Sequence, residues 1–181
     1  LILYCILVTS KYHLRVNEDR NFHELNQVNF SKSVPATKID SKLKGLKWIT
    51  PPFKDNIEEE INFIKDLKSQ IQTDKRKKMV ITHYSFISSI LDENFFSPSM
   101  AYTSDGSIIP LKNNKYSQKY KNLVINLIKK NNVDVIYIVY PVHNGSIADY
   151  LDKSCLKEKL ILKGVISYEI KRCKDLIGKN N

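Results

Sequence analysis

The stretch from Lys78 to Leu91, KMVITHYSFISSIL, constrains this chain more than any other. Met79, Val80 and Ile81 form a short apolar run, β-branched at two of its three positions. Thr82-His83-Tyr84-Ser85 then leads into Phe86, Ile87, Ile90 and Leu91 at helical spacing. That order predicts strand, turn, helix. Ligands gather at the carboxyl ends of buried strands in open α/β sheets, so His83, Tyr84 and Ser85 are candidate ligand-binding residues. Their spacing closes no catalytic constellation, and no catalytic residue is assigned.

The elements on either side fit a sheet built around that strand. Leu46, Trp48 and Ile49 predict a short strand stopped by Thr50-Pro51-Pro52, since two prolines cannot extend a ladder. Asp55 is placed to cap the following helix with Glu58 as its reciprocal partner. Ile57, Ile61, Ile64, Leu67, Lys68 and Ile71 mark the helix's apolar stripe as far as about Gln72, with one polar interruption. Glu58, Glu59 and Glu60 favour the positive end of the helix dipole. Successive helix residues point ~100° apart, so the three carboxylates cannot converge on one metal ion. Asp74 to Lys78, DKRKK, is read as a solvated turn that suits the negative end of the same dipole.

Downstream, Asp92 to Asn114 is long and irregular for a connection inside a compact domain, which points to function or flexibility. It carries Phe95, Phe96, Tyr102 and Thr103-Ser104-Asp105-Gly106, where Asp-Gly signals a turn. Tyr116 opens an amphipathic helix that Lys129 and Lys130 close, with Asn131-Asn132 as the turn out. Val133 to Val139 is the clearest strand, apolar enough for burial on both faces. Ile147 to Leu162 is read as partly helical, and Val165 to Ile170 as a strand at the sheet edge. The expected fold class is α/β: a small three-layer Rossmann-like domain with a mostly parallel sheet of about four strands. Asp105 is a candidate to orient His83, and Tyr140 and His143 join His83 and Tyr84 at the sheet's carboxyl edge.

Composition narrows the classes. The formal charge of +10 invites nucleic-acid or anionic-membrane readings. Only Arg15, Arg20, Arg76 and Arg172 are arginine, however, and the other 25 basic residues are lysine. With Lys, Ile and Asn all abundant, a drift in composition accounts for much of the charge. That weighs against nucleic acid, whose readers favour the guanidinium fork. The glycine-rich dinucleotide fingerprint, the G-x-x-x-x-G-K loop and the G-x-S-x-G elbow are all absent, so no cofactor is indicated. His13, His23 and His143 lack ligand spacing, and no metal site is indicated. Cys5, Cys155 and Cys173 show no C-x-x-C spacing and are read as small buried thiols, with a Cys155–Cys173 bridge as the alternative in an oxidising compartment.

At the amino-terminal side, LILYCILV at Leu1 to Val8 is almost continuously apolar, and Lys11, Tyr12, His13 and Arg15 follow. A buried strand and the last turns of a membrane helix both fit. Tyrosine with basic residues flanks helices leaving the hydrocarbon, which favours the membrane reading. The expected organisation is a transmembrane-helix end over residues 1–10, a juxtamembrane arm over 11–42, the α/β domain over 43–175 and a disordered tail over 176–181.

Four phrases carry a resemblance: KYHLRVNEDRNFHEL (Lys11 to Leu25), LKGLKWITP (Leu43 to Pro51), RKKMVITHYSFISSIL (Arg76 to Leu91) and NNVDVIYIV (Asn131 to Val139). They resemble the soluble C-terminal domain of large, Lys-rich bacterial multispanning membrane proteins, themselves similar to GT-C type glycosyltransferases of the protein-mannosyltransferase and aminoarabinose-transferase kind. The resemblance implies sugar transfer from a polyprenyl-phosphate donor, with the acidic catalytic residue in an early loop between membrane helices and none in this stretch. It further implies an accessory domain partnered with the upstream membrane domain and with a glycan or lipid-linked sugar, on the periplasmic side of a bacterial inner membrane. The positive charge runs against that side, although large domains escape the positive-inside rule. Two other classes stay open: a small soluble α/β enzyme centred on His83, and a basic module for nucleic acid or anionic lipid.

Overall fold

The computed structural model describes residues 2–19, 29–49, 56–100, 102, 109–110, 113–140, 142 and 150–171. Asp55, Pro51-Pro52, Asp105, His143, Cys173 and the tail at 176–181 lie outside the described residues. The protein is mixed α/β with two sheets, and it divides into two compact units, Leu1–Asp66 and Leu67–Asn181. The division falls inside a helix, later than the boundary near Leu43 that the sequence pattern suggests.

In the first unit, helix α1 runs Ile2–Asp19. Ile2 to Val8 are thereby helical and not a strand, and the helix continues into the stretch expected to be the juxtamembrane arm. Strands β1 (Val34–Pro35) and β2 (Lys47–Trp48) pair antiparallel in a two-stranded sheet. Helix α2, Ile57–Thr73, starts from Asn56, whose side-chain Oδ1 accepts the Glu59 backbone N–H at 3.2 Å while its Nδ2 donates to Glu59 Oε2 at 3.4 Å. The reciprocal cap expected of Asp55 and Glu58 is thus made one residue later. The three glutamates diverge as helix geometry requires. Glu58 pairs with Lys38, Glu59 with Asn56, and buried Glu60 accepts the Trp48 indole N–H at 2.8 Å. The stripe Ile61, Ile64, Leu67 and Ile71 is fully buried.

The second unit holds a four-stranded sheet in the order β3-β4-β6-β5. These strands are β3 (Lys78–Ile81), β4 (Val135–Val139), β5 (Leu156–Leu162) and β6 (Val165–Ile170). Helices α3 (Phe86–Leu91) and α4 (Ser117–Asn131) lie between β3 and β4 in the chain. The β3–β4 pair is parallel, while β4–β6 and β6–β5 are antiparallel. Three strands therefore run one way and β6 runs against them, so the four-stranded sheet expected is present as a mixed sheet with one parallel pair. The cause is the β5–β6 hairpin. Within Ile147 to Leu162, expected to be helical in part, Lys153–Cys155 makes a short 3-10 helix but Leu156–Leu162 is a strand, and β6 lies inside the sheet instead of at its edge. Leu, Lys and Glu favour a helix, but Gly164 at φ +88° makes the tight turn that folds the segment onto β6, and pairing overrides propensity.

Every residue of β3 and β4 is buried. Met79, Ile81, Ile136, Ile138 and Tyr168 share one core cluster with Val124 and Ile128 of α4 and with Tyr102, Tyr150 and Leu151. Helix α4 ends as expected: Asn132 takes the left-handed conformation at φ 50°, and its N–H caps the Ile128 and Lys129 carbonyls. Cys155 is disulfide-bonded, which corrects the buried-thiol reading at that position, and Cys5 is free and exposed.

Candidate functional site

The foot of the second unit, where β3 and β4 begin, is densely bonded. Asp74, in the turn after α2, accepts from the Arg76 backbone N–H at 3.0 Å, from Arg76 Nε at 2.9 Å and Nη2 at 2.7 Å, and from the Tyr137 hydroxyl at 2.6 Å. Burial opposes the charge on Asp74, but these donors outweigh it and hold the carboxyl well below the usual carboxylate range. Burial, followed by the hydrogen bond to Asp74, pushes the Tyr137 hydroxyl up to about 12. Arg76 also reaches Glu169 at 3.6 Å. The basic turn thus spends its arginine internally, and Lys75 Nζ donates to the Gln72 carbonyl at the helix end.

The opposite, carboxyl end of β3 is built differently. Thr82 is buried, and its Oγ1 accepts the Tyr84 N–H at 3.0 Å, which turns the chain sharply out of the strand. Tyr84 is buried, and the half-buried His83 ring lies against it with centroids 3.7 Å apart. Buried His83 Nδ1 has no hydrogen-bond partner, and burial lowers the imidazole to about 4, so it is neutral at pH 7. Ser85 is exposed at the start of α3, where its side chain makes no capping bond.

Past α3 the chain reverses at Asp92 (φ 51°) and again at Phe96 (φ 48°), both left-handed. Asn94 Oδ1 accepts the Phe96 N–H at 3.0 Å. The Ser97 hydroxyl donates to the Val80 carbonyl at 2.6 Å and accepts the Val80 N–H at 3.2 Å, so one side chain satisfies the exposed edge of β3. Glu93 pairs with Lys78, whose side chain is only 2% exposed and is therefore neutralised inside the fold.

Between α3, the end of β3 and this returning segment lies a cavity of about 410 Å³. It is lined by the hydroxyl-bearing residues Thr82, Ser85, Ser88, Ser89, Ser97 and Ser99, by Glu93 and Asn94, and by Phe86, Phe95 and Phe96. Of the four expected site residues that are described, Ser85 alone lines it. His83 and Tyr84 flank the same turn without lining the cavity, and Tyr140 stands half-exposed after β4, its N–H bonded to the Gly164 carbonyl at 2.7 Å. Asp105 and His143 fall outside the described residues. The sequence reading missed Glu93, Asn94, Ser97 and Ser99, although the length of the 92–114 connection marked the right segment.

Among the described residues, no group of three His, Cys, Asp or Glu side chains is placed to hold a metal ion. At the cavity, no nucleophile, base and orienting group among the described residues lie bonded in series. The arrangement is suited to holding a ligand by hydrogen bonds and ring contacts. Comparison of the chain with family models, with curated proteins and with solved structures finds no match.

Proposed function

We propose that this chain is a membrane-apposed accessory domain of a glycosyltransferase that uses a polyprenyl-phosphate sugar donor. The observation that carries the reading is the surface of α1. Ile2, Leu3, Tyr4, Ile6 and Leu7 are each more than half exposed on successive turns, and Lys11, Tyr12 and His13 follow on the same helix. So much apolar surface on consecutive turns calls for a partner, and a bilayer edge offers one that also accommodates the aromatic and basic residues behind it. No helix among the described residues is long and apolar enough to cross a membrane. In this proposal the first turns of α1 are the exit end of a span, and the upstream membrane domain is the partner.

Two further features support the reading. The parallel β3–β4 pair, joined through α3 and α4, is consistent with a Rossmann-like, three-layer design extended by a hairpin. The disulfide at Cys155 suits an oxidising compartment such as the periplasmic side of a bacterial inner membrane. The chain's part is then to hold the glycan or lipid-linked sugar, while catalysis lies elsewhere in the assembly.

Flotation with neutral phosphatidylcholine vesicles tests the membrane contact. The chain is expected to float with the vesicles in high salt, and a variant combining Leu3→Ser, Ile6→Ser and Leu7→Ser to stay at the bottom. Flotation only with anionic lipid, lost as salt rises, would return the basic-surface reading instead. For the donor, vesicles bearing a polyprenyl-phosphate mannose should retain the chain several-fold better than vesicles bearing the bare polyprenyl phosphate. Equal retention would overturn the sugar-donor assignment.

A further inference from the structure

We infer that the cavity between α3 and residues 93–100 is a binding site for a neutral pyranose, with phosphate and other anions excluded. The inference rests on the cavity alone and stands whether or not α1 meets a membrane.

Charge decides the first half. The chain carries +10 overall, yet among the described residues no lysine, arginine or histidine lines this cavity. Among the described lining residues the one ionisable group is Glu93, a carboxylate already paired with buried Lys78. A phosphate entering here would meet, among the described lining residues, a carboxylate whose lysine partner is already engaged, losing its hydration without a free charged donor in return.

Hydrogen-bond chemistry decides the second half. Part of the polar wall is committed to the fold: Thr82 to the turn, Ser88 to the Ser85 carbonyl at 3.0 Å, and Ser97 to Val80. Ser85 and Ser89 are exposed on α3 at i and i+4, on one face of the helix. Across the cavity, the Asn94 Oδ1 is occupied by the Phe96 N–H, which fixes the amide orientation and directs its Nδ2 donors elsewhere. Hydroxyls that both donate and accept, an amide donor and a carboxylate acceptor match the alternating hydroxyls of a sugar. Phe86, Phe95 and Phe96 supply the other requirement, since the negative face of an aromatic ring attracts the weakly positive C–H face of a pyranose. The volume lies within the range of small-molecule sites.

The site is also built in advance. Phe96 is held at φ 48°, a conformation uncommon for an aromatic residue, by the Asn94 bond before it and the Ser97–Val80 bonds after it. The backbone of this part of the cavity wall is therefore held in place without waiting for a ligand.

Saturation-transfer NMR on the whole chain with glucose, mannose and N-acetylglucosamine, and with glucose 6-phosphate as the anionic counterpart, tests the site. At least one neutral sugar should receive saturation and bind in the millimolar range, with glucose 6-phosphate at least about tenfold weaker than glucose, a cost of about 1.4 kcal/mol. Ser89→Trp fills the cavity from an exposed helix position and should weaken binding by about tenfold or more. Asn94→Ala, which removes the amide donor, should weaken it severalfold. Amide spectra of both variants report whether the fold is kept. Transfer to none of the three sugars, transfer unchanged in a folded Ser89→Trp, or glucose 6-phosphate binding as well as glucose would each overturn the assignment.

Discussion

The two ends of the parallel β3–β4 pair set a closed end against an open one. At the foot, Asp74, Arg76, Tyr137 and Glu169 form one bonded network. Asp134 accepts the Lys77 N–H at 3.0 Å on its side chain and the Ile170 N–H at 2.9 Å on its carbonyl. The Lys171 N–H bonds to the carbonyl of disulfide-bonded Cys155 at 2.8 Å. The starts of β3, β4 and β5 and the end of β6 are tied together there. At the carboxyl end of β3, by contrast, His83 Nδ1 is buried without a partner and a hydroxyl-rich cavity opens. Polar groups satisfied by one another stabilise a fold, whereas exposed hydroxyl residues at a cavity wall, such as Ser85 and Ser89, are available to a ligand. The foot is therefore assigned to stability and the other end to binding.

Breaking the foot should cost most. Reduction with dithiothreitol is expected to lower the unfolding free energy by about 2–4 kcal/mol while leaving sugar affinity in the folded protein unchanged. Thiol titration of the denatured, unreduced chain should find one free thiol, Cys5, and three after reduction. Three thiols before reduction would remove the covalent part of the contrast. Asp74→Ala comes next, because it strands the Tyr137 hydroxyl and the Arg76 guanidinium together. Since Arg76 is 42% exposed and can rehydrate, about 2 kcal/mol is expected in urea unfolding. A loss of sugar binding by folded Asp74→Ala would mean that the two ends are coupled.

How far this contrast could be read from the sequence depended on whether a signal was local. The apolar runs of β3 and β4, the stripe of α2 and the Asn132 turn were legible because periodicity and turn chemistry act over a few residues. Leu156 to Leu162 was misread because its fate depends on β6, which lies across Gly164. The cap of α2 was placed one residue early because Asp55 and Asn56 offer the same chemistry in adjacent positions. At the site, the strand-end rule located Ser85 and the turn, but Glu93, Asn94 and Ser97 carry no motif. Their role comes from two left-handed residues, Asp92 and Phe96, that bring the chain back along β3, and neither is a glycine that would have announced the reversal.

The open end should also show itself in pH. His83 is neutral in the folded chain down to about 4, whereas an unfolded histidine takes up its proton near 6.5. Between those values the unfolded state binds more protons, so stability falls as pH drops through the window. The half-buried ring is partly screened, which sets the loss at about 1–2 kcal/mol. His83→Leu should remove that part of the slope. Asp74 adds to the slope only at the low end of the window, where the unfolded carboxyl begins to take up protons near its ordinary 3.8, and that part is common to the parent and His83→Leu. An unchanged slope in His83→Leu would place the pH sensitivity elsewhere and weaken the case for an unpaired imidazole at this end.

The smallest effect on stability should come from Ser97, and it separates the two ends most sharply. Its hydroxyl is bonded to both the carbonyl and the N–H of Val80 on the sheet edge. Ser97→Ala leaves those peptide groups to water on a partly buried edge, for about 1 kcal/mol in urea unfolding. Hydrogen exchange at the Val80 amide should accelerate, while exchange at Ile138 on the neighbouring strand should follow only the small global change. The same substitution frees the segment that holds Phe96 and Asn94, so sugar affinity should fall by more than the stability change alone would give. Asp74→Ala has the reverse expectation, a large stability loss with affinity kept. If Ser97→Ala and Asp74→Ala instead moved stability and affinity in the same proportion, the sheet would be one cooperative unit, and the division into a structural foot and a binding edge would be wrong.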